Sequence, residues 1–158
     1  MIRRSAFYLL MVAVVVVALD QFTKLLALTY LRENVSQPLL GDLVRLYLIR
    51  NDSAAFSIGF GQTWFFTIFS SVAVLAILWF GPRMRTVGWA ANFGLLLGGV
   101  TGNLFDRIFR EPGFPNGHVI DFLQIPFDFP VFNLADCAIV VAMSIIAIRV
   151  FRGHKIGQ

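Results

Sequence analysis

The chain has 158 residues, of which 58% are hydrophobic and only 14% charged; an ordinary soluble domain would carry about 25% charged residues. With a mean hydropathy of +0.76, it reads as one integral membrane domain. Its net charge of +4 comes from dispersed basic residues that form no stripe, which argues against nucleic acid, and a single cysteine, Cys137, excludes an intramolecular disulfide and argues against a cysteine-based metal centre.

A short basic start, Met1–Arg4, leads into the apolar run Ala6–Leu19. A secretory leader would end in a small-residue cleavage site, whereas Asp20-Gln21-Phe22-Thr23-Lys24 follows here. As a helix the run measures about 21 Å, short of a hydrocarbon core of about 30 Å. The helix is therefore expected to continue through Asp20 and Lys24 to Tyr30 as an uncleaved first span, residues 6–30. Arg32–Gln62 is the most polar part of the chain. Within it, Leu39–Ile49, with Val44, Tyr47 and Ile49, predicts a short strand or small sheet on the membrane surface. Thr63–Phe80 is charge-free and makes a second span, ended by the turn Gly81-Pro82-Arg83-Met84-Arg85. Thr86–Phe105 is a third, and Arg107–Gly117, with Pro112, Gly113 and Pro115, reads as a polar loop. Leu134–Val150 is the fourth span, followed by a basic tail.

Four spans put both termini on one side. Arg3, Arg4, Arg83, Arg85, Arg149, Arg152 and Lys155 all fall there, which marks it as cytoplasmic. The nine acids fall at or beyond the opposite face.

Val119–Asp136 holds two acids in apolar surroundings. Asp136 heads the fourth span, where an ionisable group is costly and by default functional. Asp121 lies between Val119-Ile120 and Phe122-Leu123. Pro126 and Pro130 favour a bent connection that can bring the two carboxylates together. Like charges at contact distance share a proton, which is the chemistry of an aspartic protease. Asp128 sits in the loop, where water solvates it cheaply.

Each constellation also has a plainer reading. Asp20 and Lys24, four apart with the acid first, suit a structural ion pair. Asn133 and Asp136 suit an N-cap and capping box. Asn51 suits a turn. Gly94, Gly98 and Gly102 form a small-residue packing face, which leads to Asn103, Asp106 and Arg107. There an arginine beside an asparagine can hold a carbonyl or a carboxylate. His118 and His154 are isolated, so no metal ligand set is expected. A proton-coupled transporter using Asp20, Asp121 and Asp136 as relays, or a scaffold using the glycine face, are the rival functions.

Taken in order, five blocks resemble the bacterial lipoprotein signal peptidase family, the type II signal peptidases. They are Asp20-x-x-x-Lys24, Asn51 with Ala54-Ala55-Phe56, Gly98-Gly99-x-x-Gly102-Asn103-x-x-Asp106-Arg107, Val119-x-Asp121-Phe122, and Phe132-Asn133-x-Ala135-Asp136. One departure is Ser53, where the family usually has glycine. The resemblance implies an all-α membrane protein of four transmembrane helices with a small extracytoplasmic β-cradle. It implies an aspartic endopeptidase of the bacterial cytoplasmic (inner) membrane, which needs neither metal nor cofactor. Such an enzyme removes signal peptides from diacylglyceryl-modified prolipoproteins, cutting just before the lipidated cysteine. Carried over by motif, Asp121 and Asp136 are catalytic. Asn51, Asn103, Arg107 and Asn133 bind substrate and orient the dyad, and Asp20 and Lys24 support the site. Lipidated prolipoproteins and membrane lipids are the expected partners, with no nucleic acid, and a monomer is expected.

Overall fold

The computed structural model describes residues 2–52 and 63–157. The Ser53-Ala54-Ala55-Phe56 block lies outside the described residues. The described elements are α1 (Ile2–Tyr30), β1 (Ser36–Leu40), β2 (Val44–Asn51), α2 (Thr63–Phe80), α3 (Val87–Phe109), β3 (Val119–Gln124) and α4 (Leu134–Phe151). A single 3₁₀ turn, Gly81–Arg83, links α2 to the approach of α3. Three helical stretches, Arg4–Tyr30, Thr63–Arg83 and Leu134–Phe151, are long and apolar enough to cross a membrane. The four-span expectation is met for those three. α3 is long enough, at about 34 Å for its 23 residues, but Asn92, Asn103, Asp106 and Arg107 dilute its apolar character.

α3 is the central helix and packs against α1, α4 and α2. Its glycines allow that. A Cβ at Gly94 would stand 2.5 Å from the carbonyl oxygen of Leu9, and one at Gly98 would stand 2.9 Å from that of Ala13. On the other face, a Cβ at Gly99 would lie 2.6 Å from the carbonyl oxygen of Ala135. The backbones of α1, α3 and α4 are thus in direct contact, as expected where small residues line helix interfaces in lipid. Leu9, Ala13, Ile77, Trp89, Ala90 and Leu97 form the core at one end of the bundle. Ala27, Leu48, Ile120 and Phe122 form a second core, between the end of α1 and the sheet.

The sheet is antiparallel in the order β1-β2-β3. The small sheet expected within Leu39–Ile49 is present and extends beyond that stretch. Gly41, at φ 57°, turns the chain, and β1 and β2 form a hairpin whose apolar tip residues, Leu40 and Leu43, hide the turn from a hydropathy reading. Ahead of the bend expected at Pro126 and Pro130 stands a further strand, β3, whose first four residues are all buried. Because both its faces are covered, it lacks the alternation that marks a surface strand. One expectation is corrected: α3 runs to Phe109, so Arg107, expected to open a polar loop, is helical, as is Asp106. Buried partners, described below, let the helix carry these charges inside the fold.

Replacing Gly98 with leucine must push α1 away from α3, because Val16 Cβ and the Ala13 carbonyl already occupy the space. A loss of about 1–3 kcal/mol is expected from overpacking alone, read as a lower thermal midpoint in detergent.

Candidate active site

The site begins with a buried cation. The ammonium of Lys24 donates to Asp20 Oδ2 at 2.8 Å, to Asp106 Oδ2 at 2.7 Å and to Asn103 Oδ1 at 3.0 Å. All three charged side chains are inaccessible to solvent. The carboxylates pass the connection on. Asp20 Oδ1 accepts from the Ala135 backbone N–H in the first turn of α4, at 3.0 Å, and Asp106 Oδ2 accepts from the Ile120 N–H of β3, at 3.3 Å. Arg110 Nε donates to Asp106 Oδ1 at 2.6 Å, and Gln21 Nε2 donates to both acids at 3.1 Å. One knot of side chains therefore ties α1, α3, β3 and α4.

Asp121 and Asp136 are brought together by backbone pairing. Beyond β3 the chain turns at Phe127 and Asp128, with φ of 70° and 53°, and returns to pair Phe132 with Leu123 through N–H···O bonds of 2.8 and 2.9 Å. That return delivers Asn133 beside Asp121. Asn133 then caps α4: its side chain accepts from the Asp136 N–H at 3.0 Å, and its own N–H donates to Asp136 Oδ2 at 3.1 Å. The capping-box reading of Asn133 and Asp136 is borne out. The same Asn133 donates its Nδ2 to Asp121 Oδ1 at 2.6 Å and to Asn103 Oδ1 at 3.0 Å. Asn103 Nδ2 donates to Asp136 Oδ1, and Asn51 Nδ2 to Asp121 Oδ2, both at 2.8 Å. The Asn51 contact follows from register. Ile49 faces Asp121 and Asn51 faces Val119, so Asn51 and Asp121 are diagonal neighbours on one face of the sheet.

Asp121 is buried and Asp136 half-buried. Both line a cavity of about 740 Å³ between α2 and α4, floored by Val100, Asn103 and Arg107 of α3. Its walls are otherwise mostly apolar, with Phe69 of α2, Val140 of α4 and Phe129 of the loop among them, and these three are exposed on the outer surface. Burial, and next the charge of Asp136, push the Asp121 carboxyl up to about 7. Arg107 is buried beside these acids. Its Cζ stands 5.9 Å from the Phe66 ring, and its Nε has no hydrogen-bond partner among the described residues, so a donor is left unused at the cavity floor.

The structure thus brings together Asn51, Asn103, Arg107, Asp121 and Asp136 around one cavity, with Asn133 bonded to both acids and Asp20 and Lys24 directly behind. Asp128 is exposed on the loop. Gln21 and Arg110 belong to the buried knot and were not singled out from sequence. Arg110 had a signal, since it follows Asp106 at the same acid-first spacing of four as Asp20 and Lys24.

Apolar helices enclosing a carboxylate-lined cavity define an integral membrane protein with an enzyme-like site. The family is shown by comparison: the family model for signal peptidase (SPase) II matches residues 12–152, and the chain belongs to that family. It is similar to the lipoprotein signal peptidase of Leifsonia xyli subsp. xyli, at 49% identity over 92% of this chain and 67% of that one. The lipoprotein signal peptidase of Mycobacterium leprae is 44% identical over 90% of this chain and 71% of that one. A solved structure described as a bacterial membrane enzyme, obtained by the in meso method at 2.3 Å resolution, superposes with a TM-score of 0.80. It is 28% identical and covers 91% of this chain and 87% of its own. Family and fold together make this a protease-family, multi-pass protein of the bacterial inner membrane, concerned with lipoprotein processing.

Removing the central cation should be severe. Lys24→Met would leave Asp20 and Asp106 buried with too few counter-charges, and breaking such a pair costs about 3–5 kcal/mol. The thermal midpoint in detergent should fall accordingly, and part of the loss should return in Lys24→Met/Asp106→Asn, which removes one orphaned charge as well.

Proposed function

We propose that this protein is an intramembrane aspartic endopeptidase that removes signal peptides from diacylglyceryl-modified prolipoproteins, cutting just before the lipidated cysteine. The observation that carries this reading is the coupling of Asp121 and Asp136 through one residue, Asn133, at the wall of a largely apolar cavity. The names of the relatives support the substrate class. In this reading α3 is the fourth span, both termini are cytoplasmic, and the dyad lies near the extracytoplasmic face.

The reaction divides between the two acids. Asp136, ionised, takes a proton from a water whose oxygen attacks the scissile carbonyl carbon. Asp121, protonated, gives its proton to the carbonyl oxygen, and a tetrahedral gem-diol results. The C–N bond then breaks as Asp136 passes its proton to the leaving nitrogen, while a gem-diol hydroxyl returns a proton to Asp121. The dyad ends as it began. Arg107, with a donor to spare, holds a substrate carbonyl, and Asn51, Asn103 and Asn133 fix the carboxylate planes. The apolar walls suit an acylated substrate.

Purified protein with a diacylglyceryl-modified prolipoprotein tests this directly. Asp121→Asn and Asp136→Asn should each abolish cleavage, and Asp128→Asn and added chelator should leave it intact. Cleavage that survives in either of the first two variants would end the proposal.

The pH profile supplies a second test. Asp121 is protonated below about 7 and loses its proton above that, so the general acid disappears as pH rises. The rate kcat/KM should decline through about pH 7 on the alkaline side, and a profile flat from neutrality upwards would assign the acid to another group.

A further inference from the structure

We infer that the end of the bundle opposite the carboxylates binds the phosphodiester headgroup of an anionic phospholipid, in a cavity bounded by Arg83 and Arg85. This cavity has a volume of about 440 Å³ and lies between the α2–α3 turn and the C-terminal tail. Its wall combines those two guanidinium groups with the apolar side chains of Phe80, Phe93 and Ile156. Such a surface matches a charged headgroup joined to acyl chains better than it matches free phosphate. Phe80 and Ile156 are both more than half exposed, at the end of an apolar helix where headgroups meet hydrocarbon.

The shape is held by the chain itself. The Arg85 N–H donates to the Gly157 carbonyl at 2.7 Å, and Gly157 is buried against Met84, so the tail forms one wall. Arg83 donates to the Trp79 carbonyl, and its Cζ sits 4.5 Å from the Trp79 ring. This contact places the guanidinium at the rim with the rest of its donor fork unassigned.

Electrostatics supplies the sign of the ligand. No acid occurs between Asp52 and Asp106 or after Asp136. Arg149 stands 4.9 Å from the Trp89 ring, in the first turn of α3, and Arg152 and Lys155 follow on the tail. None of these five cations takes part in an ion pair among the described residues, where the pairs are formed by Lys24, Arg45, Arg50 and Arg110. α3 also begins here with no acid in its first turn, so its positive dipole end adds to the imbalance. A phosphodiester anion offsets all of these together, and basic pockets between membrane helices recognise lipid headgroups by this means. Arginine is suited to it because its fork reads phosphate oxygens in pairs.

The test is lipid retention by native mass spectrometry, on purified protein equilibrated with equal amounts of dioleoylphosphatidylglycerol and dioleoylphosphatidylcholine. The wild type should retain the anionic lipid several-fold over the zwitterionic one. Arg83→Gln/Arg85→Gln should erase that preference, and Arg45→Gln/Arg50→Gln, which removes as many cations from the hairpin, should keep it. Equal retention of the two lipids by the wild type overturns the proposal without need of any variant. So does an equal loss in both double variants. Complete displacement by inorganic phosphate would mean the cavity reads a free anion, which also overturns the lipid assignment.

Discussion

Everything near the two aspartates rests on burying the Lys24 ammonium without leaving it or its partners unpaired. Two carboxylates, Asp20 and Asp106, and two cations, Lys24 and Arg110, close a cluster of zero net charge. Desolvating so many charges is expensive, and hydrophobic side chains of similar volume are often at least as stabilising. What such side chains lack is direction. Asp20 addresses one backbone N–H of α4 and Asp106 addresses one of β3, so the knot sets depth and rotation for elements that apolar packing alone would allow to slide. The close approach at Gly102 belongs to the same arrangement, since a Cβ there would stand 2.6 Å from Asp20 Oδ2.

Lys24 also decides how Asn103 is turned. An ammonium and the Asn133 amide both point at the Asn103 oxygen, which leaves its nitrogen facing Asp136. The amide orientation at the site is therefore dictated from behind it, by a residue 79 positions earlier in the chain. Structural and chemical roles coincide here. The capping box that starts α4 joins Asp136, which lines the cavity, to Asn133, which is buried behind it and holds Asp121, and the ion pair of Asp20 and Lys24 is the support on which Asn103 is oriented.

The apolar helices α1, α2 and α4 were legible from sequence because hydrophobic runs of that length have few other uses. The site was legible for a different reason: acids and asparagines inside apolar stretches stand out. β3 was not, because a strand covered on both faces reads as a continuous apolar run, and the hairpin turn at Gly41 lies between leucines. The true end of α3 was hidden by its charges. Asp106 and Arg107 look like a membrane boundary until their buried partners, from α1 and from the neighbourhood of Asp121, are in place. Gln21 escaped notice because a lone glutamine beside an acid carries no spacing signal. Its role exists only once α1 meets α3.

The hydrogen bonds around the two carboxylates share a chemical property. Every group that donates to Asp121 or Asp136 among the described residues is an amide: the side chains of Asn51, Asn103 and Asn133, and the backbone of Asn133. Amides hold a carboxylate in place but neither accept nor release protons near neutral pH. Among the described residues the pair is fenced by groups that are inert to proton exchange, and Lys24 reaches it through the oxygen of Asn103. Among these residues the open cavity is the route by which protons enter or leave the pair, so its charge state is tied to whatever fills that space.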